Sequence, residues 1–159
     1  MLESTPPTTE PVTRMALQPY PINPFRWHAI LETANYYQTA EVNPHGETID
    51  SDAQDDLMYK PENTPAVEAA KRTFLGQVYL DWGTWAVVRE MGQEPIPGVD
   101  PPEVGPTRKW TTVEFSDLRF AYAFTSGGRA RPPSGLNGWV YIVDDREEAG
   151  EGMDRRAQK

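Results

Sequence analysis

Two histidines and a set of carboxylates are the residues of this sequence that could carry chemistry. His28 lies in an apolar run and His45 in a Pro-His-Gly turn, and neither belongs to a His-Glu-x-x-His unit. A catalytic zinc needs three protein ligands, and nothing beside either histidine in the sequence supplies them. We therefore expect His28 to be structural, His45 to be a turn residue, and the chain to hold no metal or other cofactor itself.

Carboxylate pairs are the remaining source of acid–base chemistry. Glu32 and Glu114 lie on predicted strands and could meet across a sheet, where they would serve a small hydrolase as acid and base. Any β-rich domain offers such pairs by chance. The acidic run from Asp50 to Asp56 suggests a calcium loop, but it does not match the EF-hand template, so we predict a solvated loop.

A polar and aromatic pocket is the binding site that the sequence predicts, with no catalytic residue. The side chains that could line one end of the predicted sheet are Arg26, Trp27, Glu32, Tyr37 and Tyr122. Pockets that combine aromatic walls with a few charged groups orient small ligands. The alternative is an aromatic core with an ion pair at its rim, which is the commoner arrangement.

The composition excludes several classes of function. The net charge is −9 and the basic residues are scattered, so we predict no binding of nucleic acid, which requires clustered Lys and Arg. The absence of cysteine removes disulfides, thiol nucleophiles and thiolate metal sites. No apolar run approaches the roughly 20 residues of a membrane span. Seventeen aromatic residues (five Trp, seven Tyr, five Phe) predict an aromatic core.

The pattern of elements predicts an α+β fold, a curved and mostly antiparallel sheet of about six or seven strands packed on one main helix. Residues 1–18 are rich in Thr and Pro and are predicted to be a disordered linker, 19–144 a single domain, and 145–159 a disordered charged tail. The turn Asn43-Pro44-His45-Gly46 fits a type I turn inside a three-strand meander. Strands are predicted over 25–32, 36–42, 47–49, 84–90, 110–115, 117–124 and 139–143.

A single helix is predicted to begin after Asn63-Thr64-Pro65 and to end near Asp81. Its apolar residues recur at helical spacing and would form one stripe on the sheet. That stripe consists of Val67, Ala70, Phe74 and Val78. The proline-rich stretch from Gly92 to Pro106 follows and is predicted to be a long loop, either mobile or folded over a ligand cleft.

The run Pro-Tyr-Pro-Ile-Asn-Pro-Phe-Arg-Trp at residues 19–27 resembles a segment of bacterial inner-membrane proteins known as membrane-bound metal-dependent hydrolases. In that family an Asn-Pro-Phe-Arg-Trp stretch opens the C-terminal soluble part and is followed by a Val-Glu-Thr strand and a Tyr-containing hairpin. Here Leu31-Glu32-Thr33 and Tyr36-Tyr37 take those places. The family's His and Asp metal ligands belong to its N-terminal membrane part, so no catalytic residue carries over.

The resemblance implies that the chain is the soluble extramembrane C-terminal domain of such a hydrolase, at the bacterial inner membrane. Its partner would be the N-terminal membrane part of the same polypeptide, which would hold the divalent metal, and residues 1–18 would be the tether. The domain would be non-catalytic and bind a substrate or a partner. Two alternatives stay open, a free-standing small-ligand-binding module with a cleft under the Gly92–Pro106 loop, and a carboxylate-dependent hydrolase that uses Glu32 and Glu114.

Overall fold

The computed structural model describes residues 10–20, 23, 25–46, 48–50, 57–120 and 136–153. These residues form two compact units. The first contains the described residues up to Lys60, and the second contains those from Pro61 onwards. Each unit has its own antiparallel sheet, and each is described separately below.

The first unit is a five-stranded sheet. Its strands are β1 (Arg14–Pro19), β2 (Trp27–Glu32), β3 (Tyr36–Asn43), β4 (Thr48–Asp50) and β5 (Leu57–Tyr59). The order is β1-β2-β3-β4, with β5 also paired to β3, and every pairing is antiparallel. The predicted meander is confirmed as β2-β3-β4. Its second turn is stabilised by Asn43, whose Oδ1 accepts hydrogen bonds from the backbone N–H groups of His45 and Gly46.

The second unit packs two helices on one face of a four-stranded sheet. Its elements are α1 (Pro65–Lys71), α2 (Phe74–Trp82), β6 (Ala86–Glu90), β7 (Trp110–Asp117), β8 (Gly138–Val143) and β9 (Glu147–Met153), with strand order β6-β7-β8-β9. Val113 and Phe115 of β7 and Val140 and Ile142 of β8 form the core with buried residues of both helices. Because side chains alternate along a strand, the intervening residues face the other side of the sheet.

The predicted single helix is wrong because Thr73 divides it into α1 and α2. The Thr73 hydroxyl caps α2 by accepting a hydrogen bond from Gly76 N–H, while α1 ends at Lys71 with Arg72 as its C-cap. The new start changes the helical phase, so Leu75, Gly76 and Tyr79 are buried, whereas Phe74 is 75% exposed. The apolar stripe expected on the sheet therefore holds for α1 and fails for α2.

The predicted fold class is also wrong. An antiparallel arrangement is confirmed, but in the described part of the chain nine strands in two sheets with two short helices replace one sheet on one main helix. The predicted strand over 117–124 is a 3-10 turn at Leu118–Phe120, and its remainder lies outside the described residues. Two further strands, β1 and β9, occupy positions where the sequence predicts disorder.

The Gly92–Pro106 loop packs on the sheet face opposite the helices. Tyr141 Oη accepts a hydrogen bond from Ile96 N–H (2.6 Å) and donates one to the carbonyl oxygen of Val99 (3.0 Å). Ile96 is 2% exposed and lies over Gly152, where an added Cβ would be 2.7 Å from its Cγ2 atom. The described loop therefore does not cover a ligand cleft between the sheet and the helices. Core side chains fill the space between those elements.

Candidate functional site

One end of the first sheet carries the candidate site. The connection between β1 and β2 lies there, beside the turn between β3 and β4, because Trp27 pairs with Val42 near the end of β3. The side chains that meet at this end are those of Tyr20, Phe25, Arg26, His28, Glu41 and His45. We call this set the hairpin-end cluster, and it includes both histidines of the chain.

The described residues of the β1–β2 connection are linked by hydrogen bonds among themselves. Asn23 is their centre, since its Oδ1 accepts from Phe25 N–H (3.0 Å), its carbonyl oxygen accepts from Arg26 N–H (3.2 Å) and its N–H donates to the Tyr20 carbonyl (3.3 Å). Tyr20 N–H in turn donates to the Arg26 carbonyl oxygen (2.9 Å). Phe25 and Arg26 are therefore both held by hydrogen bonds to Asn23.

Arg26 forms a bidentate ion pair with Glu41 on the neighbouring strand. Its Nε donates to Oε1 (2.5 Å) and its Nη2 donates to Oε2. The hydrogen bond that Arg26 donates to the Glu41 carboxylate raises the pKa of the guanidinium above its ordinary value. The guanidinium also lies 5.2 Å from the centre of the Tyr20 ring, in cation–π geometry. The charge of Arg26 is thus held in one place although its side chain is 43% exposed.

Phe25 gives the hairpin end an exposed aromatic surface. Phe25 is 58% exposed, and the centre of its ring is 4.9 Å from that of His45. Tyr20 contacts the buried His28 edge-on at 6.4 Å. Exposed aromatic rings beside an ordered arginine are the residue types that dominate protein–protein binding energy. This end of the sheet therefore combines an exposed aromatic ring with a paired arginine, residue types that are enriched in protein–protein interfaces.

The four predicted binding residues that the structure describes lie at two separate places on the first sheet. Arg26 and Trp27 lie at the start of β2, whereas Glu32 and its cross-strand neighbour Tyr37 lie at its end. With a rise of about 3.3 Å per residue, the two pairs are roughly 17 Å apart. Trp27 is half-buried, opposite Pro19 and Val42. Tyr122 lies outside the described residues.

Glu32 and Tyr37 belong to a second, smaller cluster with Lys60. The Lys60 ammonium donates a hydrogen bond to Glu32 Oε1 (2.7 Å) and lies 5.2 Å from the centre of the Tyr37 ring. Burial, followed by the negative charge of Glu32, raises the pKa of the Tyr37 hydroxyl. This is an ion pair at the rim of an aromatic sheet, the alternative considered for these residues in the sequence.

Glu114, the second carboxylate of the hypothetical acid–base pair, is a buried ion-pair partner in the second unit. Arg89 donates to Oε2 through Nε (2.7 Å) and Nη2 (2.5 Å), while Asn137 Nδ2 (3.0 Å) and Trp139 Nε1 (3.2 Å) donate to Oε1. These four donors occupy the roughly four lone-pair positions of a carboxylate. Proton transfer to a substrate would require breaking one of these bonds, which disfavours the acid–base hypothesis.

The sequence reading missed the partners that define these clusters. Glu41 pairs with Arg26 and Lys60 with Glu32, and neither pair is close in sequence. The sequence could not identify these partners, because the pairing of the strands brings them together. Phe25 is predicted to lie inside a strand, yet it precedes β2. The signal that could have found it is the proline and asparagine run immediately before Phe25, which favours a turn over a strand.

Comparisons with known proteins leave the resemblance at residues 19–27 as a prediction. No protein-family model, curated protein or solved structure matches this chain. Within the described ranges, no group of three or more His, Asp or Glu side chains is arranged to hold a metal ion. The helices of the described part, α1 and α2, are both too short to cross a bilayer.

Proposed function

We propose that this chain is a non-catalytic, soluble accessory domain of a membrane-bound metal-dependent hydrolase and binds the membrane part of that protein through the hairpin-end cluster. The observation that carries the proposal is the position of the residues that resemble the family. Phe25 and Arg26 of the Asn-Pro-Phe-Arg-Trp run lie just before β2 at the end of the sheet, and Phe25 is exposed there. The run therefore provides a contact surface as well as an entry to β2.

The chemistry of this surface supports contact with another protein. A bidentate arginine–carboxylate pair fixes the geometry of the turn, and Phe25 remains 58% exposed beside it. An ordered aromatic side chain loses little conformational entropy on binding, so its burial contributes efficiently to affinity. The saturated hydrogen bonding of Glu114 fits a structural role and favours this proposal over the carboxylate-dependent hydrolase.

The first test has two steps: sequencing the gene upstream of residue 1, and measuring whether this chain binds the membrane part that the gene encodes. We expect the reading frame upstream of residue 1 to encode several apolar segments of about 20 residues. The upstream membrane part, expressed separately in nanodiscs, should bind this chain, and biolayer interferometry measures the affinity. A reading frame without such segments refutes the membrane-hydrolase assignment.

Matched variants test the surface. We expect Phe25→Ser to weaken binding at least about tenfold, which corresponds to roughly 1.4 kcal/mol of lost contact energy. Met15→Ser is the control, because Met15 is 64% exposed on β1 of the same sheet and lies outside the hairpin-end cluster. Equal affinity of Phe25→Ser and the unmodified chain would show that the membrane part binds elsewhere.

A further inference from the structure

Asn137 and Gly138 form the only Asn-Gly step in the sequence, and they lie where the chain enters β8. An asparagine side chain deamidates when the backbone nitrogen of the next residue attacks its Cγ atom, and a following glycine has no Cβ atom to hinder that attack. The other four asparagines precede two prolines, a tyrosine and a threonine. Proline lacks the N–H group that the reaction needs, and the other two residues are bulky. The sequence therefore concentrates this chemistry at Asn137.

The fold of the second unit uses both residues of this step. A Cβ atom at position 138 would lie 3.0 Å from Leu75 Cδ2 and 3.5 Å from Tyr79 Cδ2, so α2 packs closely on a glycine. Asn137 Nδ2 donates a hydrogen bond to Oε1 of Glu114 (3.0 Å), whose side chain is 2% exposed. The reactive step is therefore a consequence of how this unit is packed and hydrogen-bonded.

The folded second unit protects Asn137 from this reaction. The backbone hydrogen bond from Asp144 to Lys109 fixes the alternation of pairs along β7 and β8, which makes Phe115 and Gly138 a hydrogen-bonded pair. The Gly138 nitrogen is thus held in the sheet. Asn137 Oδ1 is buried and accepts no hydrogen bond from a residue that the structure describes, so no described donor stabilises the negative charge that the attack would place there. Deamidation therefore requires the unit to open.

We propose that Asn137 is a deamidation site that becomes reactive when the second unit opens, and that the product prevents the unit from regaining its native stability. In the reaction, the Gly138 nitrogen forms a bond to Cγ of Asn137, and its proton leaves with the side-chain amide group as ammonia. Water then opens the cyclic imide at one of its two carbonyl carbons, which gives aspartate or isoaspartate. Chemical modification of an open state makes unfolding irreversible.

Either product disrupts the hydrogen bonding of Glu114. The new carboxylate replaces an N–H donor with a negatively charged oxygen that faces Glu114 Oε1, while Arg89 contacts the other oxygen of Glu114. Isoaspartate also lengthens the backbone by one atom immediately before β8, where the register of the strand is set. The deamidated chain should therefore refold to a less stable state.

Peptide mapping by mass spectrometry, after incubation of the full chain in buffer or in concentrated guanidinium chloride, tests where and when deamidation occurs. We expect the peptide that contains Asn137 to deamidate first in the denaturant. In buffer its rate should be at least about tenfold lower, because the rate follows the population of the open form. Faster deamidation at another asparagine, or equal rates in the two solutions, would overturn the proposal.

Matched variants test the consequence for stability. Asn137→Ser and Asn137→Asp both remove the amide that donates to Glu114, but only Asn137→Asp adds a charge. We expect Asn137→Asp to raise the equilibrium constant for unfolding at least about tenfold more than Asn137→Ser does. After incubation in denaturant and refolding, the denaturation midpoint should fall for the unmodified chain and stay unchanged for Asn137→Ser. Equal stability of the two variants, or an equal fall in the two midpoints, would refute the proposed effect of deamidation.

Discussion

Replacement of Glu114 by glutamine should destabilise the second unit strongly. Glutamine has one acceptor oxygen, so in either amide orientation its NH2 group faces two donors that now lack an acceptor. Removing one partner of a buried ion pair costs about 3–5 kcal/mol. Arg89 is 37% exposed and regains part of its hydration, whereas Glu114 is 2% exposed. We therefore expect the free energy of unfolding to fall by about 3 kcal/mol, the lower end of this range.

Urea denaturation followed by tryptophan fluorescence measures this loss in the appropriate unit. Four of the five tryptophans, at positions 82, 85, 110 and 139, lie in the second unit. Glu147→Gln is the matched control, because it breaks an ion pair with Arg108 in which both side chains are well exposed. That control should leave stability within experimental error. If the Glu114→Gln loss is below about 1 kcal/mol, or equals that of the control, then water solvates Glu114 and our account of the cluster is wrong.

Three further substitutions have defined outcomes. Gly76→Ala should destabilise by about 1–3 kcal/mol despite the higher helix propensity of alanine, because the new Cβ would be 2.1 Å from a carbonyl oxygen of α1. Gly105→Ala is the control and should be neutral, because no atom lies within 4 Å of its added Cβ. Equal denaturation midpoints of the two variants would contradict this prediction. Burial raises the pKa of Tyr79 in the folded chain, so the stability that its neutral form contributes is complete below pH 10 and is lost as the pH rises further. In Tyr79→Phe, the free energy of unfolding should therefore fall less steeply with pH above 10, and an unchanged slope would exclude this residue as a cause. Tyr141→Phe removes the two hydrogen bonds from the Tyr141 hydroxyl to the Gly92–Pro106 loop and should speed proteolysis of that loop. Tyr59→Phe, at a 72% exposed position, is the control and should not change the cleavage rate. Equal cleavage rates of the two variants would show that apolar contacts are enough to hold the loop.

Local sequence patterns predicted the structure correctly where a segment's conformation depends on residues close to it in the chain. The β2-β3-β4 meander followed from alternating burial and from the Asn-Pro-His-Gly turn, whose asparagine makes the expected contacts within four residues. The start of α1 followed from Thr64, which accepts a hydrogen bond from Val67 N–H, and from Pro65 in the first turn. Each of these features is determined by neighbours in the chain.

Edge strands were missed because their pairing depends on another strand. β9 contains three glutamates and two glycines and has no apolar alternation; it is a strand because β8 offers hydrogen-bonding groups along its length. The turn before it uses positive φ at Asp144 and Asp145, which aspartate tolerates but does not require. Charged residues on an edge strand also discourage further pairing, so the same composition suits disorder or an edge.

The sequence alone determined the residue types of the candidate site, an aromatic and arginine-containing run that follows several prolines, and the antiparallel arrangement of the strands. Tertiary structure decided how those residues are used. Strand register paired Arg26 with Glu41 and separated it from Glu32, and the Thr73 cap turned Phe74 outwards. The physical reason is that side-chain patterns encode burial along one segment. Strand register depends on hydrogen bonds to another strand, and the phase of α2 depends on the Thr73 cap, which ends one helix and starts the next.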